Sequence, residues 1–464
     1  MTVVSTLRPL LDRKQWEMCA PAPVVSAAGS MIISSILADQ LQMFVVSTTV
    51  QFLYDPFQDS WLQLPAGSVG VVAAGSGGCY HPMGLAGTAT AGSATTLTTN
   101  LTIPGSLAGY RVRITGGPGA GREEVILSNT FGTNSVLTFA TGTALTNAST
   151  FVLITGRFYV FVGGATNTFR FYEVATNTWS ALLSVTGVAV FGTDAKLRAT
   201  PGEAANFTPA NSTATAGAAT TLTNSAKTWA VNQWANMQVR ILSGTGAGQV
   251  RVITSNTATV LTVPTWTTNP DATSVYVIEG NDDVIYLTGN NLVTMLRYNI
   301  AANTWITVAP GVARAGVAGG GHSLMWSRSN PSTVWQDESN IINGRRLYSF
   351  RGGATPNLDY YDIPSNTWIA LPYQRQSEVF GIGSSFDNGL NGKFYIHKDS
   401  TSRYFQYDVA SNRMDPLVWL PYPQGAAAVG DRLFTADFVD GVDRLTFLYH
   451  VRNTGVEMFR MLVF

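Results

Sequence analysis

One spacing governs what this chain can fold into. A tyrosine stands seven residues ahead of a tryptophan four times, at Tyr54 and Trp61, Tyr172 and Trp179, Tyr298 and Trp305, and Tyr361 and Trp368. A short polar turn lies between them, as in Glu173-Val174-Ala175-Thr176-Asn177-Thr178. Each copy reads as a strand ending in an aromatic, a tight turn, and a second strand opened by Trp. Weaker copies stand at Tyr407-Asp408 with Asn412 and at Tyr449-His450 with Asn453. Self-similarity of this kind marks a repeat architecture, whose units bury their apolar faces against one another. The eight residues are therefore assigned to structural repeat positions between neighbouring units, rather than to sugar stacking.

Two further strands precede each Tyr strand. An apolar one is read at Gln42–Ser47, Arg157–Gly163, Val284–Gly289, Arg346–Phe350, Lys393–His397 and Arg432–Phe438. Ahead of it comes a small-residue one, at Val24–Gly29, Val69–Gly75, Val188–Gly192, Val312–Gly320, Val379–Gly383 and Ala426–Gly430, suited to a crowded centre. Four strands in each of six units predict an all-β, six-bladed β-propeller. Trp16–Pro21 reads as a Trp strand with no Tyr strand before it, so it is expected to pair with the last unit and close the ring. Leu7–Lys14 reads as a short helix in an N-terminal arm.

The Tyr-to-Tyr steps of 118 (54 to 172) and 126 (172 to 298) are too long for one blade. The excess is a second repeat. Thr90-Ala91-Gly92 through Leu97-Thr98 matches Thr215-Ala216-Gly217 through Leu222-Thr223, and Val112-Arg113-Ile114 matches Val239-Arg240-Ile241. Gly119-Ala120-Gly121-Arg122 matches Gly246-Ala247-Gly248-Gln249. The predicted organisation is an arm and closing strand at 1–22, a propeller at 23–86, 156–210 and 280–464, and small β-barrel or sandwich modules at 87–155 and 211–279. Both modules enter at the same strand junction of adjacent units, so they are expected to share one face. Replacing both by Gly-Ser linkers is expected to leave a folded, soluble propeller.

Composition narrows the function. Lys and Arg total 28 against 28 Asp and Glu, which leaves no electrostatic footprint for nucleic acid or an anionic membrane. No apolar run reaches the ~18 residues of a membrane span, and the N-terminus lacks the apolar run of a signal peptide. Cys19 and Cys79 are read as free and buried.

No catalytic set assembles. The runs Gly116–Gly121 and Gly244–Gly248 lack the Lys-Ser/Thr of a phosphate loop and read as hairpin turns. His81, His322, His397 and His450 lie in different units without ligand spacing, and His322 is read as structural or axis-lining. Ser385-Phe386-Asp387-Asn388-Gly389 begins like an Asp-box but lacks the closing aromatic, Gly392 standing in its place, and reads as a turn. No metal, cofactor or catalytic residue is assigned. Trp326 and Trp335, off the repeat pattern in a loop spanning 326–343, are the candidates for partner contact.

Gly352-Gly353, Tyr361-Asp362 and Asn366-Thr367-Trp368, in this order, resemble the kelch repeat, which implies a propeller. The last two units depart from it, with Lys398-Asp399 for the glycines and Met414 and Val456 for Trp. The inserted module resembles small β modules that recur in tailed-bacteriophage virion proteins. That resemblance implies a non-enzymatic virion component of the tail nozzle or tip, the collar or the head decoration. Its expected partners are other virion proteins of tail, collar or capsid, with copies of itself forming a homo-oligomer in the particle. A glycan-binding receptor module and a kelch-type carbohydrate-active enzyme are the alternatives.

Overall fold

The computed structural model describes residues 16–24, 30–34, 42–45, 51–64, 72–73, 75–82, 84–163, 166–181, 184–185, 194–199, 212–279, 284–290, 292–300, 302–326, 346–353, 355–363, 365–371, 378–381, 384–388, 393–398, 401, 403–417, 432–440, 443–451 and 456–463. Among these residues the chain is all-β, with no helix and with ten four-stranded sheets whose ladders are antiparallel. The region read as a helix at Leu7–Lys14 lies outside them.

Six sheets follow one another along the chain. In the first, Met31–Ser34, Gln42–Val45, Phe52–Asp55 and Ser60–Gln63 pair in sequence order. The second runs Gly77–His81, Arg157–Phe161, Phe169–Glu173, Thr178–Ala181, and the third Ala195–Ala199, Val284–Gly289, Met295–Asn299, Thr304–Val308. Met325–Trp326, Arg346–Phe350, Leu358–Asp362 and Thr367–Leu371 make the fourth, and Ser385–Asn388, Lys393–His397, Tyr404–Asp408 and Arg413–Pro416 the fifth. The sixth holds Arg432–Asp440, Asp443–Val451 and Met458–Val463, and takes its fourth strand, Glu17–Met18, from the other end of the chain.

Burial follows strand position. Val284–Gly289 and Met295–Asn299 are buried along their whole length, as expected of strands covered on both faces, whereas the fourth strand of the first sheet is largely exposed. Six apolar clusters join the sheets in cyclic order, first to second through to sixth back to first. The first strands pack closely where they meet: a β-carbon on Gly77 would stand 2.5 Å from the carbonyl oxygen of Ala195 in the next sheet.

The repeat positions are cross-strand partners: Tyr54 opposes Trp61, Tyr172 Trp179, Tyr298 Trp305, and Tyr361 Trp368. Each hairpin closes on a residue with positive φ: Asp59, Asn177, Asn303, Asn366 and, in the fifth sheet, Asn412. Asn and Asp tolerate that conformation best among residues with a β-carbon. Their side chains have a second role: the tyrosine hydroxyl five residues back donates to the Oδ1 of Asp59, Asn303, Asn366 and Asn412 at 2.7 Å, and that of Tyr172 to Asn177. The residue after the tyrosine caps the turn in five sheets, with Asp55, Glu173, Asn299, Asp362 and Asp408 accepting turn amides.

Two readings of the sequence are corrected. Where the small-residue segments are described, they are not the first strands, which lie just after them. Val312–Gly320, the best described of these segments, is irregular, and the strand is Met325–Trp326; the others lie wholly or partly outside the described residues. Tyr449 is not a repeat tyrosine, because it lies on the second strand of the sixth sheet rather than the third. Arg432–Asp440 is accordingly that sheet's first strand. The N-terminal strand occupies the Trp position, with Glu17 opposite Arg460 and Met18 opposite Phe459.

Candidate interaction surface

The remaining four sheets make up two inserts that enter after the first strand of the second and third sheets. In the first insert, one sheet has the order Glu123–Val125, Arg111–Gly116, Thr150–Ile154, Ala86–Thr88, and the other Ser128–Asn129, Val136–Thr138, Thr96–Thr98, Ala91–Gly92. The second insert repeats both orders, with Val250–Val252, Gln238–Ser243, Val275–Glu279, Ser212–Thr213 and Ser255–Asn256, Val260–Thr262, Thr221–Thr223, Ala216–Ala218. Finer details match too. The long strand shifts register between Ile114 and Gly116 in one copy and between Ile241 and Ser243 in the other. Asn129 accepts the Leu107 amide at 2.7 Å, and Asn256 accepts that of Trp234 at 2.8 Å. The Gly-rich runs are the hairpin turns expected, with positive φ at Gly117, Gly119 and Gly121 and at Gly244, Gly246 and Gly248.

The inserts are rooted differently. The first has its own core, which takes in Ala175 from the turn of the second sheet. The second shares one continuous core with the third and fourth sheets, where Trp234, Met237 and Tyr276 join Val284, Tyr286 and Trp368. Arg297, 1% exposed, reaches from the third sheet to the carbonyl oxygens of Asn232 and Gln233 at 3.4 Å each, and Asn299 Nδ2 donates to Asn236 Oδ1 at 3.3 Å. The second insert thus packs into the core of the third and fourth sheets, whereas the first is nearly self-contained.

The outer strand of each insert is an edge. Residues 123–125 and 128–129 end both sheets of the first insert, and no strand lies beyond them among the described residues. Large apolar side chains gather there: Val125 is 45% exposed, Leu127 60% and Phe131 65%. The matching positions in the second insert hold Val252, Thr254 and Ala258. Single exposed apolar residues are ordinary, and three within seven positions of one edge make this edge a candidate surface only.

The residues weighed for chemistry are mostly built into the sheets. Trp326, expected in a loop as a partner contact, is instead 3% exposed on the first strand of the fourth sheet. Its indole N–H donates to the Ala199 carbonyl, and its ring meets Tyr286 edge-on at 5.7 Å. Trp335 lies outside the described residues. Trp305 and Trp368 are buried, and Trp61 and Trp179 half-buried, which places these repeat tryptophans in packing roles. Ser385–Asn388, read as a turn, is the first strand of the fifth sheet.

His322 is fully buried. Its Nδ1 faces the Gly319 carbonyl at 3.1 Å and Asp194 Oδ2 at 3.5 Å, two acceptors that fix the proton on Nδ1. Nε2 then accepts from the Thr288 hydroxyl at 3.2 Å. Burial holds the imidazole pKa below its usual value, and Asp194 only partly offsets this. Burial alone would raise the Asp194 carboxyl, but Lys196, 2.8 Å away, and His322 outweigh it and hold the group below the usual carboxylate range. The node is a structural clamp. His397 and His450, dispersed in sequence, meet edge-on with ring centroids 4.8 Å apart between the fifth and sixth sheets. Among the described residues, no three His, Cys, Asp or Glu side chains gather so as to hold a metal ion. Cys19 and Cys79 are free, and burial pushes both thiols up to about 12. No helix among the described residues is long and apolar enough to cross a membrane.

Comparison with known proteins adds little. No protein-family model matches the chain, and no curated protein matches it. A solved structure titled "Structure of YjhT" is similar over 64% of this chain and 69% of that one, at 12% identity and a TM-score of 0.30. A likeness that distant carries no argument about function.

Proposed function

We propose that the six consecutive sheets are the blades of a kelch-like β-propeller, with the N-terminal strand as its closing element. The cyclic order of the apolar clusters supports this reading, as does the meeting of the first strands around Gly77. On this scaffold the protein acts as a non-enzymatic structural component of a bacteriophage virion, in the tail nozzle or tip, the collar or the head decoration. The paired inserts are its contact surfaces toward other virion proteins.

One observation carries the proposal. Two copies of one module, alike down to strand order and register shift, interrupt adjacent sheets at the same connection. A propeller supplies no function by itself, so the repeated addition is where function resides. The glycan-binding alternative draws no support from the repeat tryptophans, which pack between sheets. A mass-spectrometric inventory of purified particles tests the assignment. The expected result is this protein at a fixed copy number per particle; its absence from particles overturns the reading.

A further inference from the structure

Arg297 is a cation buried without an acid. It is 1% exposed, and no carboxylate among the described residues lies within ion-pairing distance of it. Its Nη2 reaches the carbonyl oxygens of Asn232 and Gln233 at 3.4 Å each, and its guanidinium faces the phenol of Tyr286, its partner on the next strand. Nε and Nη1 are buried and meet no acceptor among the described residues. A guanidinium keeps its charge, so only partial charges oppose it here. Burying a charge in this way costs far more than burying one that is paired. The other deeply buried arginine, Arg314, has Asp359 at 2.9 Å.

Neighbouring groups add donors and no charge. The Tyr286 hydroxyl and Asn236 Nδ2 are likewise buried without an acceptor among the described residues. Burial pushes the Tyr286 phenol above its usual value, against the pull of Arg297, so it stays an O–H donor. Asn299 fixes the orientation of Asn236. Its Oδ1 accepts the Ala302 amide, so its Nδ2 faces Asn236 Oδ1, and Asn236 Nδ2 is left to donate elsewhere. Arg297 and Asn299 stand two apart on one strand, hence on one face, and both reach the 232–236 turn of the second insert. The position after the repeat tyrosine holds an acid in the second and fourth sheets, where Glu173 pairs with Arg157 at 2.6 Å and Asp362 with Arg346 at 3.2 Å. In the third sheet that position is the neutral Asn299. A water molecule would satisfy the donors and leave the charge. One monovalent anion satisfies both. The apolar surroundings, with Trp234, Met237 and Val284, favour a weakly hydrated ion over a divalent oxyanion.

We propose that Arg297, Tyr286 and Asn236 bind a single halide ion, chloride in ordinary media, which fastens the second insert to the third sheet. Enclosed at this junction, the ion is taken up as the insert docks and released as the insert leaves. The joint therefore tightens with chloride concentration by mass action.

Thermal melts of the purified full-length protein test this, with sodium chloride exchanged for sodium fluoride at constant ionic strength. Fluoride is too strongly hydrated to enter an apolar site. The wild-type melting temperature is expected to rise by about 2–4 °C for roughly a hundredfold increase in chloride, and bromide is expected to act as chloride does. Asn299→Asp keeps a turn-capping side chain, as Asp362 and Asp408 are in their sheets, and supplies a carboxylate on the face of Arg297. This variant is expected to fold and to lose the halide dependence. Crystals grown in bromide should show an anomalous peak in contact with the Arg297 guanidinium in the wild type, and none in Asn299→Asp. If Asn299→Asp does not melt cooperatively, the wild-type bromide peak decides alone. A wild type indifferent to the halide, an equal dependence in the folded variant, or an ordered water in place of bromide overturns the proposal.

Discussion

Asn366 shows how much one side chain carries here. It holds a positive φ of 52°, accepts the Tyr361 hydroxyl and donates to the Ala309 carbonyl. Asn366→Ala is expected to cost about 2–5 kcal/mol, adding about 1–2 for the left-handed backbone to about 1–3 for the stranded hydroxyl. Asn366→Gly should recover the backbone share, and urea unfolding of the pair separates the two. Trp368 is buried beneath the Arg314 guanidinium, 5.0 Å from its ring centre, and Trp368→Ala is expected to cost about 3–5 kcal/mol in the same assay. His322 makes stability depend on pH. Its folded pKa is depressed, so it is held neutral among Thr288, Asp194, Lys196 and Arg314, while the unfolded imidazole titrates near 6.5. Stability is complete above about 6.5 and is lost as pH falls through that value toward the folded one. The melting temperature of the wild type should drop between pH 7 and 5, and His322→Gln should flatten that drop. Equal slopes in the two proteins would remove His322 as the cause. The Tyr and Trp of each hairpin were legible in the sequence through bulk and spacing. The Asn between them carried the same spacing, but its work is geometric and shows only once the turn is closed.

At the scale of the strand, the second and third strands of the sheets stood out in sequence because burial on both faces writes a continuous apolar run. The first strands did not. Met325–Trp326 and Ser385–Asn388 are short and of mixed composition, and the Gly- and Ala-rich segments ahead of them drew the assignment away. Trp326 was misread for a related reason: an aromatic off the repeat period looks like loop decoration, although the indole spans two sheets. The N-terminal strand was legible as an orphan. It is held by the Glu17–Arg460 ion pair at 2.8 Å and by the amides of Cys19 and Ala22 on the carbonyls of Met458 and Val456. It also ties the sixth sheet to the first, since Ala20 N–H donates to Asp59 Oδ1 and the Trp61 indole donates to the Ala20 carbonyl. Deleting residues 1–22 uncovers the Met458–Val463 edge, and light scattering should report aggregation during expression and heating. A deletion variant as soluble and as stable as the full chain would show that the strand is dispensable.

For the whole molecule, the two inserts test how far a repeated module can be an appendage. Replacing 87–155 by a short linker should preserve cooperative unfolding, because that core is nearly self-contained. The same change at 211–279 strips cover from Tyr286, Met295 and Arg297, and should lower the melting temperature markedly or abolish the transition. Equal behaviour of the two variants in a thermal melt would count against the difference in rooting. The sixth sheet also sets a clock on biosynthesis. Glu17 leaves the ribosome early, yet its partner Arg460 lies 443 residues later. At about 5–20 residues per second, the first strand waits roughly 20–90 s for the strand it must join. Closure therefore waits until Met458–Val463 has left the exit tunnel, and a chain cut short before that strand leaves Glu17–Met18 without its partner.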